Sequence, residues 1–173
     1  EALLRQIDDS IAAGVDYIQS REKDLNDRDL YDLTSKAVQA AQGSKTRVLV
    51  NGRVDIALAA GAQGVHLPGD SIAASEWRRI VPAGFVIGVS CHTMEELRED
   101  TTAADYALYA PVFAPLSKTA ASPPVGLDGL REGCRVCRIP VLALGGITRQ
   151  NAPSCVEAGA AGVAGITLFQ AME

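Results

Sequence analysis

The chain has 173 residues, of which 47% are hydrophobic and 21% are charged, and its formal net charge at pH 7 is −5. This composition is typical of a folded globular chain and excludes a disordered one. No apolar run approaches the roughly 18 residues that a membrane-spanning helix needs, and an acidic chain is not expected to bind nucleic acid generally. We therefore expect one cytoplasmic domain over residues 1–173, without a membrane or nucleic acid partner.

Short apolar runs alternate with helical patterns along the whole chain. The predicted elements are, in order, a helix over residues 1–14, a strand over 15–19, a helix over about 29–41, a strand over 47–51, a helix over 54–61, a strand over 64–67, a helix over 72–81, a strand over 85–90, a helix over 93–100, a strand over 105–109, a long Pro-rich loop, a helix over 126–134, a strand over 140–145, a helix over 151–159 and a strand over 162–166. Thr93 and Glu96 have the spacing of a capping box at the start of one of these helices.

This alternation predicts a parallel sheet built from βα units. Four segments repeat the passage from a helix end through small residues into a strand: AAGVDYIQ, AAGAQGVHL, TAADYALY and EAGAAGVAGI. The repetition, together with the absence of G-x-G-x-x-G from the sequence, favours a (β/α)8 TIM barrel over an open doubly wound sheet. Seven strands are predicted, so we expect the first barrel strand to precede residue 1.

Polar and small residues cluster where the predicted strands end, which is where barrel enzymes build their active sites. In chain order these residues are Gln19, Arg21, Lys23, Asn51, Gly52, His66, Asp70, Ser90, His92, Ser117, Lys118, Gly145, Gly146, Ile166 and Thr167.

Two groups among them suggest binding of anions. The backbone N–H groups of Gly145 and Gly146, with Ile166-Thr167 on the next loop, suit a barrel phosphate site, although the glycines alone also suit a tight turn. Arg21, Lys23 and Lys118 would place three cations at one end of the barrel. A diphosphate explains such a cluster, whereas each cation taken singly also suits a solvated surface.

His66 lies in a strand and suits a hydrogen-bonded structural role better than catalysis, whereas His92 is placed to exchange protons near neutral pH. Cys134 and Cys137 have C-x-x-C spacing, but no second pair or histidine follows at zinc spacing, so reduced thiols are favoured over a redox pair. The loop over residues 113–126 is either a lid or a poorly ordered insertion; Lys118 within it favours the lid.

Several segments together resemble the thiamine phosphate synthase family, which includes the related thiazole tautomerase. They are YIQSREKDL, VLVNGRVDIALAAGAQGVHL, IGVSCHTMEEL, ADYALYAPVFAPLSK, PVGLDGL and IPVLALGGITRQNAPSCVEAGAAGVAGI. The similarity runs in order from about Gly14 to Ile166. It implies a TIM barrel and a cytoplasmic transferase of thiamine biosynthesis. Such a transferase joins hydroxymethylpyrimidine diphosphate to thiazole phosphate and releases diphosphate.

The resemblance also implies roles for the residues at the strand ends. Catalytic roles fall on Arg21, Ser90, His92 and Lys118. Binding of the phosphorylated pyrimidine and thiazole substrates falls on Gln19, Lys23, Asn51, Ser117, Gly145, Gly146, Ile166 and Thr167. A homo-oligomer is compatible with all of this.

The resemblance further implies Mg²⁺ beside the leaving diphosphate, and here the chain departs from the family pattern. Gly52 and Ser71 stand at the two carboxylate positions, Asp70 lies one residue early, and Pro115 replaces a loop threonine. Asp70 is therefore the one candidate metal ligand. Two alternatives to the synthase stay open: a thiazole tautomerase with His92 as its acid and base, and a non-catalytic homologue that binds a phosphate ligand.

Overall fold

The computed structural model describes residues 2–99, 103–114 and 123–170. The chain forms two compact units, residues 1–87 and residues 88–173. The central part of the predicted lid, with Ser117 and Lys118, lies outside the described residues. No described helix is both long enough and apolar enough to cross a membrane.

In the first unit, helices alternate with three parallel strands that are adjacent in chain order. The elements are α1 Ala2–Ala12, β1 Tyr17–Ser20, α2 Asp27–Ala40, β2 Arg47–Asn51, α3 Val54–Ala59, β3 Gly64–Leu67 and α4 Ala74–Arg78. Helix α2 begins at a conventional cap, because the Asn26 side chain accepts a hydrogen bond from the Asp29 N–H at 3.0 Å.

The second unit continues the alternation and again has adjacent parallel strands. Its elements are β4 Val86–Cys91, which begins two residues before the boundary of the unit, α5 Met94–Arg98, β5 Tyr106–Tyr109, α6 Gly126–Val136, β6 Val141–Ala143, α7 Ala152–Glu157, β7 Gly162–Val163 and α8 Thr167–Gln170. The predicted capping box at Thr93 and Glu96 is confirmed, with both reciprocal hydrogen bonds present.

Strand alternation gives each unit one face that packs against its helices and an opposite face. We call the opposite face the uncovered face, although some of its residues are buried. In the first unit, Ile18 and Val48 pack with Ile7 of α1 and Ala37 of α2. Gln19 and Asn51 have the opposite parity, because Gln19 pairs with Leu49 in the register of β1 and β2. These two polar side chains therefore lie on the uncovered face.

The same rule separates the two faces of the second unit. Tyr109 and Ala143 pack with Leu97 of α5 and Leu130 of α6 in one buried cluster. Ser90 pairs with Leu108 in the register of β4 and β5, one residue out of phase with that cluster. Ser90 therefore lies on the face that the helices leave uncovered.

The predicted alternation of parallel strands and helices is confirmed. The strands over residues 47–51 and 64–67 have the predicted bounds, whereas the strands predicted over 140–145 and 162–166 shorten to Val141–Ala143 and Gly162–Val163. The last two were predicted too long because the glycines that follow each strand belong to loops. The closed (β/α)8 barrel and the single domain stay predictions.

Candidate functional site

The uncovered face of the first unit brings together three polar side chains from neighbouring strands. Gln19 Nε2 donates to Asn51 Oδ1 at 2.9 Å, which fixes the two amide groups relative to each other across β1 and β2. Asn51 pairs in register with His66 of β3, so His66 lies on the same face. The backbone ladder continues one residue further, since the Gly52 N–H donates to the His66 carbonyl oxygen at 2.8 Å.

His66 is a neutral, structural histidine in this arrangement. Its side chain is 2% exposed, and burial together with the positive charge of Arg21 lowers its pKa to about 4. Arg21 directly follows β1, the strand that carries Gln19. The sequence interpretation of His66 as structural agrees with this burial.

Arg53 holds the loop after β2 in place through three hydrogen bonds to aspartates. Its guanidinium donates to Asp55 at 2.9 and 2.7 Å and to Asp27, at the start of α2, at 2.6 Å. These contacts lower the pKa of both carboxyl groups and raise that of the guanidinium. Sequence analysis did not single out Arg53, although an arginine two residues before an aspartate at a helix start was a usable signal.

The residues present do not fit a magnesium ion held by two protein carboxylates. Gly52 has no side chain to offer, Ser71 occupies the second carboxylate position, and Asp70 is exposed. Within residues 2–99, 103–114 and 123–170 no three histidine, cysteine, aspartate or glutamate side chains are grouped as metal ligands. Mg²⁺ prefers oxygen ligands, commonly one or two carboxylates with phosphate oxygens.

His92 follows β4 in the second unit, and its ring is oriented by a backbone carbonyl. Its Nδ1 lies 3.0 Å from the Ala110 carbonyl oxygen. A carbonyl oxygen only accepts, so Nδ1 carries the proton and Nε2 is the basic nitrogen of the neutral ring. The Glu96 carboxylate accepts from the His92 N–H, which ties the backbone to the capping box. The exposed ring is thus placed to exchange a proton at Nε2.

The Gly145-Gly146 pair packs against the segment that follows β5. Gly145 has φ +100°, and a Cβ there would lie 2.7 Å from Pro111 Cα; Gly146 has φ +60°, and a Cβ there would lie 2.4 Å from the Ala114 carbonyl oxygen. Any larger residue would collide with backbone at both positions, which explains two consecutive glycines. The tight turn and the phosphate site are therefore compatible: the turn brings bare backbone to this end of the unit.

The four cysteines are thiols in the core cluster of the second unit. Burial raises the pKa of Cys91 to about 12 and also raises those of Cys134 and Cys155. Cys134 lies in the last turn of α6, the end of a helix that disfavours a thiolate. This environment is the opposite of a reactive C-x-x-C site and agrees with the interpretation of reduced thiols.

The family model described as thiamine monophosphate synthase matches residues 1–169. The chain belongs to the thiamine monophosphate synthase family. It is 41% identical over 157 residues to a thiamine-phosphate synthase from Methanoculleus marisnigri, a match that covers 90% of this chain and 74% of that protein. It is 40% identical over 165 residues to a thiamine-phosphate synthase from Methanocella arvoryzae, with 95% and 78% covered.

A solved structure agrees with this family assignment. Thiamine phosphate pyrophosphorylase from Pyrococcus furiosus superposes with a TM-score of 0.86 at 29% sequence identity, over 98% of this chain and 82% of that chain. The fold of a thiamine monophosphate synthase family member therefore extends over nearly all of the residues.

The predicted site residues of this family member fall into two sets, one in each unit. In the first set, a hydrogen bond and the strand register join Gln19, Asn51 and His66, and Arg21 directly follows β1. The second set lies at or after strand ends of the second unit and consists of Ser90, His92, Gly145, Gly146 and Ile166. Lys23 and Asp70 lie on exposed loops, the Thr167 side chain is not described, and Ser117 and Lys118 lie outside the described residues. Asn151, which sequence analysis missed, contacts the glycine loop of the second set.

Proposed function

We propose that the chain is a thiamine-phosphate synthase, a transferase that joins hydroxymethylpyrimidine diphosphate to thiazole phosphate and releases diphosphate. The observation that carries the proposal is the Gln19–Asn51 hydrogen bond, with Arg21 directly after β1 and His66 in register with Asn51. This hydrogen bond joins two residues to which the family resemblance assigns substrate binding. The strands are taken as part of a (β/α)8 barrel, and the enzyme as cytoplasmic.

The first unit would hold the pyrimidine diphosphate. Arg21 offers a planar pair of donors to a diphosphate oxygen, and Lys23 adds a point charge. The hydrogen bond between the Gln19 and Asn51 amides leaves one N–H of Gln19, both N–H groups of Asn51 and lone pairs on both amide oxygens for the pyrimidine edge. Because His66 stays neutral, stabilisation of the leaving group by cations would fall on Arg21 and Lys23.

The reaction follows from stabilising charge on the leaving group. When the C–O bond to diphosphate breaks, the electron pair leaves with diphosphate, and the pyrimidine methylene becomes a cation. Cationic side chains that are already in place lower the barrier to this step. The thiazole nitrogen then donates its lone pair to the methylene, forming the C–N bond of thiamine phosphate without transfer of a proton.

The second unit would hold the thiazole phosphate. The glycine loop after β6 and the Gly165–Thr167 segment after β7 follow strands that pair in register, Leu142 with Gly162 and Ala143 with Val163. The two loops therefore emerge side by side. Backbone N–H groups from adjacent loops are a recurrent phosphate cradle in α/β barrels.

The test is formation of thiamine phosphate from the two purified substrates with Mg²⁺ supplied. We expect product and diphosphate in equal amounts. The Arg21→Ala variant, which lacks the guanidinium, should have a kcat/KM about a hundredfold lower, because one charge-assisted contact to the leaving group is lost. The matched control is Arg28→Ala, which removes an exposed arginine from α2 without touching the polar set.

Absence of thiamine phosphate in the wild type and in a Gly52→Asp variant would overturn the proposal. Equal losses in the Arg21 and Arg28 variants would also contradict the role of Arg21. A tautomerase would instead aromatise a thiazole phosphate carboxylate, and its activity would be abolished by His92→Ala; this outcome would replace the synthase.

A further inference from the structure

The glycine loop after β6 is held by hydrogen bonds to three consecutive carbonyl groups. The Val112 N–H donates to the Leu144 carbonyl at 2.8 Å, and the Phe113 N–H donates to the Gly145 carbonyl at 3.0 Å. The side-chain amide of Asn151 donates to the Gly146 carbonyl at 2.9 Å. Two of the three donors are backbone groups, so Asn151 is the one side chain that performs this task in the described loop.

Fixing a carbonyl also fixes the N–H of the same peptide unit. A trans peptide is planar, and its C=O and N–H point in opposite directions. The three anchored carbonyls therefore orient the N–H groups of Gly145, Gly146 and Ile147 away from the residues that anchor them. None of these three N–H groups has an acceptor among the described residues.

The Asn151 side chain also caps the turn before α7, and for this it uses its oxygen and not its nitrogen. Its Oδ1 accepts from the Thr148 N–H at 2.7 Å, while Thr148 Oγ1 accepts from the Asn151 N–H at 3.3 Å. These reciprocal bonds form a capping box before α7, with asparagine in the place that glutamate or glutamine usually takes. The box uses only the oxygen of the side chain, so it does not require the Nδ2 group that reaches Gly146.

We propose that Asn151 is a positioning residue for the thiazole phosphate: its Nδ2–Gly146 hydrogen bond orients the Ile147 N–H, next to those of Gly145 and Gly146, toward the phosphate. The inference rests on the proposed phosphate site of the second unit. Asn151 does not contact the ligand and acts through the peptide group between Gly146 and Ile147. An acidic residue at position 151 keeps the capping box and loses the orientation.

Asn151→Asp is the decisive variant, because aspartate still accepts from Thr148 but cannot donate to Gly146. Its added charge is matched by Gln150→Asp, on the neighbouring exposed residue, which leaves the Asn151 contacts in place. The full chain is titrated calorimetrically with thiazole phosphate and with the corresponding thiazole alcohol, which lacks the phosphate. Asn151→Gln, which keeps both an acceptor and a donor, is the conservative rescue.

We expect Asn151→Asp to bind thiazole phosphate about fivefold to tenfold more weakly than Gln150→Asp, the loss typical of one hydrogen bond. Binding of the alcohol and the melting temperature should be the same in both variants, and Asn151→Gln should recover most of the phosphate affinity. In turnover, KM for thiazole phosphate should rise while KM for the pyrimidine diphosphate stays constant.

Equal affinities of Asn151→Asp and Gln150→Asp for thiazole phosphate would overturn the inference. So would a wild type that binds the alcohol as tightly as the phosphate, or an Asn151→Gln variant as weak as Asn151→Asp. Failure of the synthase proposal has a different signature. A wild type that binds thiazole phosphate but forms no thiamine phosphate would end that proposal, and the affinity comparison would still decide the role of Asn151.

Discussion

Replacing Gly52 by aspartate restores a carboxylate at a position where the family pattern has one. Gly52 follows β2 directly and has φ +69°, in the left-handed region. A Cβ there would lie 3.5 Å from Pro68 Cδ and 3.6 Å from Pro68 Cγ, which is ordinary van der Waals contact. The turn therefore has room for a side chain, and its backbone conformation is the only obstacle.

The Gly52→Asp exchange should lower the free energy of unfolding and raise the affinity for a divalent ion. Aspartate and asparagine tolerate the left-handed region better than other residues, so we expect a loss of about 1 kcal/mol in the free energy of unfolding. This loss corresponds to a melting temperature lower by about 2–4 °C in a chain of this size. A carboxylate about 4 Å from a divalent ion gains about 2 kcal/mol even in water, or more than tenfold in affinity.

The assay compares Gly52→Asp, Gly52→Asn and the wild type. Asparagine has the same shape and the same backbone cost but no charge, so it is the matched control. Mg²⁺ is titrated calorimetrically in the presence of inorganic diphosphate, and in parallel the rate of thiamine phosphate formation is measured against Mg²⁺ concentration. We expect the half-saturating Mg²⁺ concentration to fall at least about tenfold in Gly52→Asp only.

Identical Mg²⁺ dependence in the aspartate and asparagine variants would refute the reasoning, because it would show that a carboxylate at residue 52 does not reach the ion. A loss of much more than about 1 kcal/mol in both variants would contradict the argument that the turn has room. The calorimetric arm does not depend on turnover, so it tests the site whether or not the chain is a synthase.

Two further predictions concern stability. The pKa of His66 is lowered from 6.5 to about 4, so below about pH 6.5 the unfolded chain takes up a proton that the folded chain excludes, and the free energy of unfolding should fall by about 3 kcal/mol down to pH 4. Chemical denaturation at both pH values should show this loss reduced in His66→Gln but not in His92→Gln, and equal losses in the two variants would contradict it. Gly64→Ala should cost about 3 kcal/mol, because its Cβ would lie 2.4 Å from the Val86 carbonyl oxygen. Gly61→Ala, with φ +72° and open space, should cost about 1 kcal/mol, and equal costs in the two variants would contradict the collision expected at residue 64.

The strands were predictable where one physical signal dominated. The run over residues 47–51 is apolar throughout except at its ends, and a strand buried on both faces requires that composition. The ends of later strands were less predictable, since Gly145 and Gly165 continue an apolar pattern but lie in loops. Glycine does not interrupt a hydrophobic pattern and adds little to strand stability, so the pattern cannot locate the last paired residue.

The first polar set was predictable because its chemistry is carried by side chains. Gln19, Arg21 and Asn51 are polar residues at the ends of apolar strands, and the parallel arrangement brings such positions together. The hydrogen bond between Gln19 and Asn51 was not predictable, since it depends on register. Register is set by packing on the covered face, where Ile18 and Val48 meet α1 and α2.

In the glycine loop, the sequence predicted the glycines but not the directions of their backbone N–H groups. Its chemistry is carried by backbone N–H groups, whose directions are determined by what the preceding carbonyls bind. Those partners are two backbone donors from a distant loop and one asparagine five residues away. None of them shows a pattern in the sequence.

Departures from the family pattern should be interpreted differently in the two units, because one proposed site uses side chains and the other uses backbone groups. In the proposed site of the first unit the ligand would meet side chains, so an exchange such as glycine for aspartate at residue 52 would change the available chemistry directly. In the second unit the ligand would meet only backbone, so the identity of most loop residues matters little if the peptide groups keep their directions. The exchanges that matter there are those that displace Gly145 or Gly146, where a Cβ would collide with backbone, or that remove the donor of Asn151. Phosphate binding at the proposed site of the second unit would therefore depend on residues that need not touch the substrate.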